Sequence, residues 1–339
     1  MKKIIISIIK YIAFLFIGLF LLWLVFRKLD IYQVVDQILN ANYYWILLSF
    51  CCAIVSHLAR AARWNILINH LDNKTKLSTT FYAVMIGYFA NMALPRLGEI
   101  TRCGVLAKKN KISFDSLFGT VVAERVFDMI VLLIMIFFVI VFQLKLVGGF
   151  VNDKIFSPLA SKFSSNITPV IIIIVIFVLI ILLSIFFIKY VLLKMSKHSF
   201  YSKINEFITG FAVGLKTIIK LKKKWLFLFY TFMIWSMYFC MTYFVFFTME
   251  ATSNLTVIDG ITVLAIGSLG MVAPVPGGIG AYHFIVKAIL VELYLIPSAI
   301  AASWATLIHT SQGVLILFVG ALSYFLIFLQ KKKKSNELS

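Results

Sequence analysis

Residues 86–109 read IGYFANMALPRLGEITRCGVLAKK, and residues 266–288 read IGSLGMVAPVPGGIGAYHFIVKA. Each is an apolar stretch broken in its middle, by Pro95 and Gly98 in the first and by Pro274, Pro276, Gly277, Gly278 and Gly280 in the second. With one residue of slack the two align. Ile86-Gly87 falls on Ile266-Gly267, and Met92-x-x-Pro95-x-x-Gly98 falls on Met271-x-x-Pro274-x-x-Gly277. Proline stops helix propagation and glycine permits tight reversal. The spacing therefore predicts a weak internal repeat of two helix–turn–helix hairpins, over 77–111 and 257–295, each entering a membrane and returning on the same side.

The rest of the chain agrees with a membrane setting. Of 339 residues, 62% are hydrophobic and 13% charged, and the mean hydropathy of +1.01 excludes a water-soluble globular enzyme. Six further apolar stretches, at about 4–26, 43–63, 119–143, 168–190, 225–248 and 298–329, approach or exceed the roughly 20 residues a spanning helix needs. The first has no small-residue cleavage pattern after it and is read as a retained anchor. Trp23, Tyr43, Tyr44, Trp45, Trp64 and Trp225 lie near expected helix ends, where amphipathic rings favour the membrane interface. The expected fold class is an all-α polytopic membrane protein with six full crossings plus two re-entrant helical hairpins arranged as an inverted repeat. It forms one domain over 1–330, with halves of about 1–145 and 166–330, followed by a basic tail at 331–339.

Lys and Arg total 32 against 13 Asp and Glu, a net charge of +19. The basic residues lie between apolar runs rather than on one soluble face, so they report topology and not nucleic-acid binding. If both hairpins return, segments holding 24 basic residues lie inside, and the loops 27–42 and 145–167, with 5, lie outside. Both termini are then cytoplasmic, and the Lys-rich stretch 200–224 joins the halves along the inner surface. Three crossings with a hairpin from the cytoplasm are followed by three with a hairpin from outside, a plan that recurs in alternating-access transporters. Cys51, Cys52, Cys103 and Cys240 have neither disulfide nor zinc spacing, and no cofactor or metal is expected.

Ionisable residues at membrane depth are costly, so those present mark the site. Arg96, Glu99 and Arg102 recur at i, i+3 on the first hairpin, with Asn91 just before its break. Glu124 and Asp128 share one helical face, with Arg125 beside them, and His57, Arg60 and Arg63 form a basic stripe. One reading has these charges neutralise one another and lock the hairpin to the third crossing, with Arg60, Arg63 and Arg102 snorkelling to the interface. The other has the guanidinium forks hold a phosphate, which they suit by geometry and permanent charge. The glycines of the second hairpin serve close packing or a ligand's approach. His283 is a candidate gate or headgroup contact, and His309, Ser311 and Gln312 give the last crossing a polar patch.

Arg60-x-x-Arg63-Trp64, Gly87-x3-Asn91-x3-Pro95-Arg96-x-Gly98-Glu99-x-x-Arg102, Glu124-Arg125-x-x-Asp128 and Pro274-x-Pro276-Gly277-Gly278-Ile279-Gly280, in that order, resemble the lysylphosphatidylglycerol synthase transmembrane-region family. The resemblance covers most of the chain. It implies a flippase-like protein of the bacterial cytoplasmic (inner) membrane that moves an anionic or aminoacylated phospholipid, or a polyprenyl or glycolipid, between leaflets. Full-length synthases append a soluble aminoacyl-transferase domain, whereas this sequence stops soon after Lys331–Lys334, so synthesis of the aminoacyl-lipid is not expected of it alone. Family members often carry an acidic residue where this chain has His283.

The expected substrate site therefore comprises Arg60, Arg63, Asn91, Arg96, Glu99, Arg102, Glu124, Arg125, Asp128 and His283, with no catalytic residue assigned. Two alternatives stand beside transport. One is a membrane-embedded enzyme acting on a lipid phosphate or lipid-linked sugar, with Glu124 or Asp128 as base. The other is a scaffold for a partner synthase. No Walker A loop is present to supply ATP energy directly. The expected partners are membrane lipid, a cytoplasmic lipid-modifying enzyme and a second copy of the chain, with no nucleic acid.

Overall fold

A computed structural model describes residues 2–71, 73–143 and 221–336. These residues are helical, with no strand among them. In order they form α1 Lys2–Phe26, α2 Ile31–Leu39, α3 Tyr43–Asn69, α4 Leu77–Ala93, α5 Leu97–Asn110 and α6 Phe114–Phe142. Then follow α7 Lys224–Phe246, α8 Glu250–Ser253, α9 Val257–Val272, a 3-10 turn Pro276–Gly278, α10 Ala281–Glu292 and α11 Ser298–Asn336.

Four described helices are long and apolar enough to cross a membrane: Tyr43–Asn69, Phe114–Phe142, Lys224–Phe246 and the Ser298–Ile327 part of α11. A fifth candidate is the bent pair Tyr11–Phe26 and Ile31–Leu39, whose axes turn by 91°. The expected loop 27–42 thus contains a helix, α2, started by Asp30, whose carboxylate accepts the Tyr32 N–H at 2.9 Å. The loop 145–167, the crossing expected at 168–190 and nearly all of the Lys-rich segment 189–224 lie outside the described residues.

Both interrupted stretches fold back as helix pairs. In the first, the chain turns at Leu94, Pro95 and Arg96, and a Cβ added to Gly87 would lie 2.9 Å from the Gly98 carbonyl oxygen and 3.2 Å from Arg102 Cβ. Only glycine lets α4 and α5 approach this closely. In the second, the turn runs from Ala273 to Gly280, and a Cβ on Gly267 would lie 3.1 Å from Val286 and 3.3 Å from Tyr282. Gly87 and Gly267, equated by the sequence alignment, both face the returning helix. Gly277, Gly278 and Gly280 have φ of +58°, +75° and +81°, and Gly280 abuts the Gly18 carbonyl of α1.

The packing brings the two reversals together. A Cβ on Gly277 would stand 3.9 Å from the Met92 Cα, one turn before Pro95. Helix α3 runs antiparallel along α7, from the Asn42 N–H on the Thr248 carbonyl to the Arg63 guanidinium on Thr231. One buried apolar cluster gathers Val245, Phe246, Leu290 and Trp304, and a second gathers Trp64, Leu67, Leu106, Leu117 and Phe227. Leu133, Ile134, Phe137, Phe138, Val141 and Phe142 of α6 are exposed instead, an apolar face suited to acyl chains.

Candidate functional site

Helices α3, α5, α6 and α7 converge on a buried cluster of charge. Glu124 of α6 meets three guanidinium groups: Arg60 at 2.5 Å and Arg63 at 3.1 Å through Oε1, and Arg102 at 3.1 Å through Oε2. Asp128, one turn further along α6, meets Arg60 at 3.0 Å and Arg63 at 2.7 Å. Three arginines against two carboxylates leave one positive charge in excess. Glu124 and Arg63 are fully buried, and Arg60 and Arg102 nearly so. The i, i+3 spacing of Arg60 and Arg63 and the i, i+4 spacing of Glu124 and Asp128 put each pair on one face, and the two faces are opposed.

Aromatic rings and hydroxyls complete the walls. The Arg102 guanidinium lies over Trp64, 4.6 Å from a ring centroid, and Arg63 lies 5.4 Å from the Phe227 centroid. Arg63 donates to Thr231 at 3.1 Å, Arg60 donates to the Tyr238 hydroxyl at 3.1 Å, and Trp64 Nε1–H donates to Thr120 at 2.8 Å. Trp64 was expected at the membrane interface and is completely buried instead, because its ring supports Arg102 and its N–H has a partner.

Beside the cluster a small cleft is lined by Val84, Gly87, Tyr88, Asn91, Gly98, Arg102 and Arg125. Arg125 pairs with Glu99 at 3.1 Å and is partly exposed. Asn91 Oδ1 accepts the Gly98 N–H at 2.6 Å. It satisfies one of the free N–H groups at the start of α5, whose cap residue Arg96 makes no side-chain cap bond. Several buried polar atoms around the cleft have no hydrogen-bond partner: Nε and Nη2 of Arg102, Nε of Arg125, Oε2 of Glu99 and Oε2 of Glu124. The Arg102–Glu124 contact is close in distance but misaligned for a hydrogen bond, so both atoms keep bonding capacity.

The expected site residues thus divide. Arg60, Arg63, Arg102, Glu124 and Asp128 form the cluster, Asn91 and Arg125 line the cleft, and Glu99 reaches it only through its pair with Arg125. Arg96 does not join them: it is exposed, at φ +63°, where it ends the reversal. His283 is elsewhere, on the second hairpin, where its ring lies 4.7 Å from that of His309. The polar patch on α11 divides, with His309 on the Gly277 carbonyl of the second hairpin and Gln312 donating to Ser49 of α3. Phe227, Thr231 and Tyr238 were missed, because rings and neutral hydroxyls in an aromatic helix carry no charge signal. Their spacing of four and seven residues puts them on one face of α7, which is the signal that could have found them.

The profile of the Lysylphosphatidylglycerol synthase TM region matches residues 10–320. The chain belongs to this family. A UPF0104 membrane protein of Methanocaldococcus jannaschii, MJ1595, is 31% identical over 137 residues, which are 40% of this chain and 39% of that relative. No solved structure matches. The family is an integral membrane one, in keeping with the apolar helices of this chain.

Proposed function

We propose that this protein moves a phosphate-bearing membrane lipid between leaflets and holds its headgroup in the cleft beside Glu124. The observation that carries the reading is the buried excess of positive charge next to unpartnered arginine nitrogens. A buried charge is costly unless it is paired, and a lipid phosphate in the cleft would balance the excess positive charge of the cluster and accept from the unpartnered nitrogens of Arg102 and Arg125. Glu99 Oε2 offers an acceptor for the amine of a zwitterionic or aminoacylated headgroup.

In this reading the two hairpins are re-entrant, the halves form an inverted repeat, both termini are cytoplasmic, and the protein sits in the cytoplasmic membrane. The contact between Met92 and Gly277 and the matching positions of Gly87 and Gly267 support it. An enzyme using Glu124 or Asp128 as general base fits less well. Glu124 meets three guanidinium groups and Asp128 two, so neither carboxylate is available to take a proton.

Binding tests the site directly. Delipidated protein in detergent, mixed with an anionic phospholipid or its aminoacylated form, is expected to retain both in native mass spectrometry. Glu99→Gln is expected to weaken retention of the aminoacylated lipid several-fold while leaving the plain lipid unchanged. Equal loss of both, or of neither, would remove Glu99 from headgroup recognition.

A further inference from the structure

The second hairpin carries its own buried polar group, distinct from the arginine cluster. His309 of α11 lies with Nε2 2.8 Å from the carbonyl oxygen of Gly277. A carbonyl only accepts, so Nε2 carries the hydrogen and His309 donates it to the turn. The His283 ring, on α10, is 4.7 Å from the His309 ring at 61°, and Tyr282 stacks on His309 at 5.3 Å and 30°. His283 is 4% exposed, and its Nδ1 has no hydrogen-bond partner. The Gly277 carbonyl that His309 grips belongs to the turn that reaches Met92, beside the break of the first hairpin.

We propose that His283 and His309 form a proton-binding site: when both rings are neutral the turn of the second hairpin stays packed on them, and on proton uptake the cost of an unpaired buried charge, rather than loss of the His309–Gly277 hydrogen bond, draws the turn open to solvent. The proposal deepens the transport reading, on which its link to lipid movement rests. A proton added to either ring creates an imidazolium in an apolar setting, in contact with a second imidazole. No carboxylate pairs with either ring among the described residues. Several titratable groups on neighbouring elements are turned to other partners, Asp36 of α2 accepting from Asn40. Lys287 of α10 donates to the Val25 carbonyl of α1, and Tyr11 of α1 donates to the Ala93 carbonyl of α4. Asp259 of α9 closes a capping box with Thr256 and accepts from Gln143. On α4, Tyr88 lies against His57 of α3.

Once the turn lifts away, the rings gain solvent, which stabilises an imidazolium that the closed packing leaves unpaired. The released form therefore binds more protons than the closed one, and by linkage a fall in pH favours release. Because the turn touches the first hairpin next to its reversal, its release opens the boundary between the two hairpins, where a headgroup would pass. A proton gradient would then bias the transport cycle.

The test is hydrogen–deuterium exchange of the peptide spanning 274–283 in lipid nanodiscs, at pH 7.5 and pH 5.5, corrected for the intrinsic exchange rate at each pH. The wild type is expected to lose at least tenfold in protection at the lower pH. His309→Gln can still donate to the Gly277 carbonyl but cannot take up a proton, and His283→Asn removes the neighbouring ring's basicity. Both are expected to flatten the pH response while keeping protection at pH 7.5. Unchanged protection in the wild type, or a full drop persisting in both variants, would overturn the proposal. Leaflet exchange of labelled lipid on the same nanodisc-tested protein, reconstituted in liposomes, separates the two readings. A pH-dependent turn with no lipid movement would leave the proton site standing and refute transport.

Discussion

Replacing Glu124 with alanine is expected to destabilise the protein by about 3–5 kcal/mol, the cost of breaking a buried ion pair so that charge is left unmatched. Glu124 meets Arg60, Arg63 and Arg102 at once. Its removal leaves Arg60 and Arg63 facing Asp128 alone, and Arg102 with no carboxylate. The loss is measurable as a fall in the thermal unfolding midpoint of protein purified in detergent, or as loss of folded protein in the membrane. Asp128→Ala removes contacts to Arg60 and Arg63 only and leaves Glu124 in place, so its effect is expected to be smaller. A Glu124→Ala protein as stable as the wild type would mean that the cluster is solvated or already neutralised by something else.

The second large effect concerns transport. Arg102→Gln is expected to lower phospholipid exchange between leaflets at least tenfold in reconstituted liposomes, because it removes one of the two charges lining the cleft together with two nitrogens left without hydrogen-bond partners. Glutamine keeps much of the side chain's length, so packing against Trp64 is only partly lost. Arg96→Ala is the matched control. Arg96 is exposed and pairs with no carboxylate among the described residues, and exchange is expected to stay within about twofold of the wild type. The two arginines lie six positions apart on the same hairpin. A comparable loss in both variants would point to net positive charge at the membrane surface rather than to the cleft.

The two reversals were legible because proline and glycine interrupt each apolar run, and Gly87 and Gly267 sit where the paired helices touch. The cluster was legible because charge inside apolar helices is rare enough to mark a face, as Arg60, Arg63, Glu124 and Asp128 do. Spacing on one helix does not tell which face another helix presents, however. The i, i+3 series Arg96, Glu99, Arg102 suggested one stripe, yet the left-handed backbone at Arg96 takes it out of the helical register, and Glu99 turns to Arg125 while Arg102 turns to Glu124. Trp64 looked interfacial because a tryptophan near a helix end usually is. Its burial follows from a tertiary contact, the Arg102 guanidinium on its face, that no local pattern announces. Thr231 and Tyr238 were silent for the same reason: hydroxyls in an apolar helix become informative only once α3 is laid against α7.

The most direct test of the central claim is leaflet exchange of fluorescent lipids in liposomes reconstituted with the wild-type protein, compared with protein-free liposomes. Phosphate-bearing lipids, plain or aminoacylated, are run beside a phosphate-free glycolipid. Exchange well above the protein-free rate is expected for the phosphate-bearing lipids, and none above it for the phosphate-free one. Equal exchange of both classes, or exchange of neither, would contradict a transport site built on arginine recognition of phosphate.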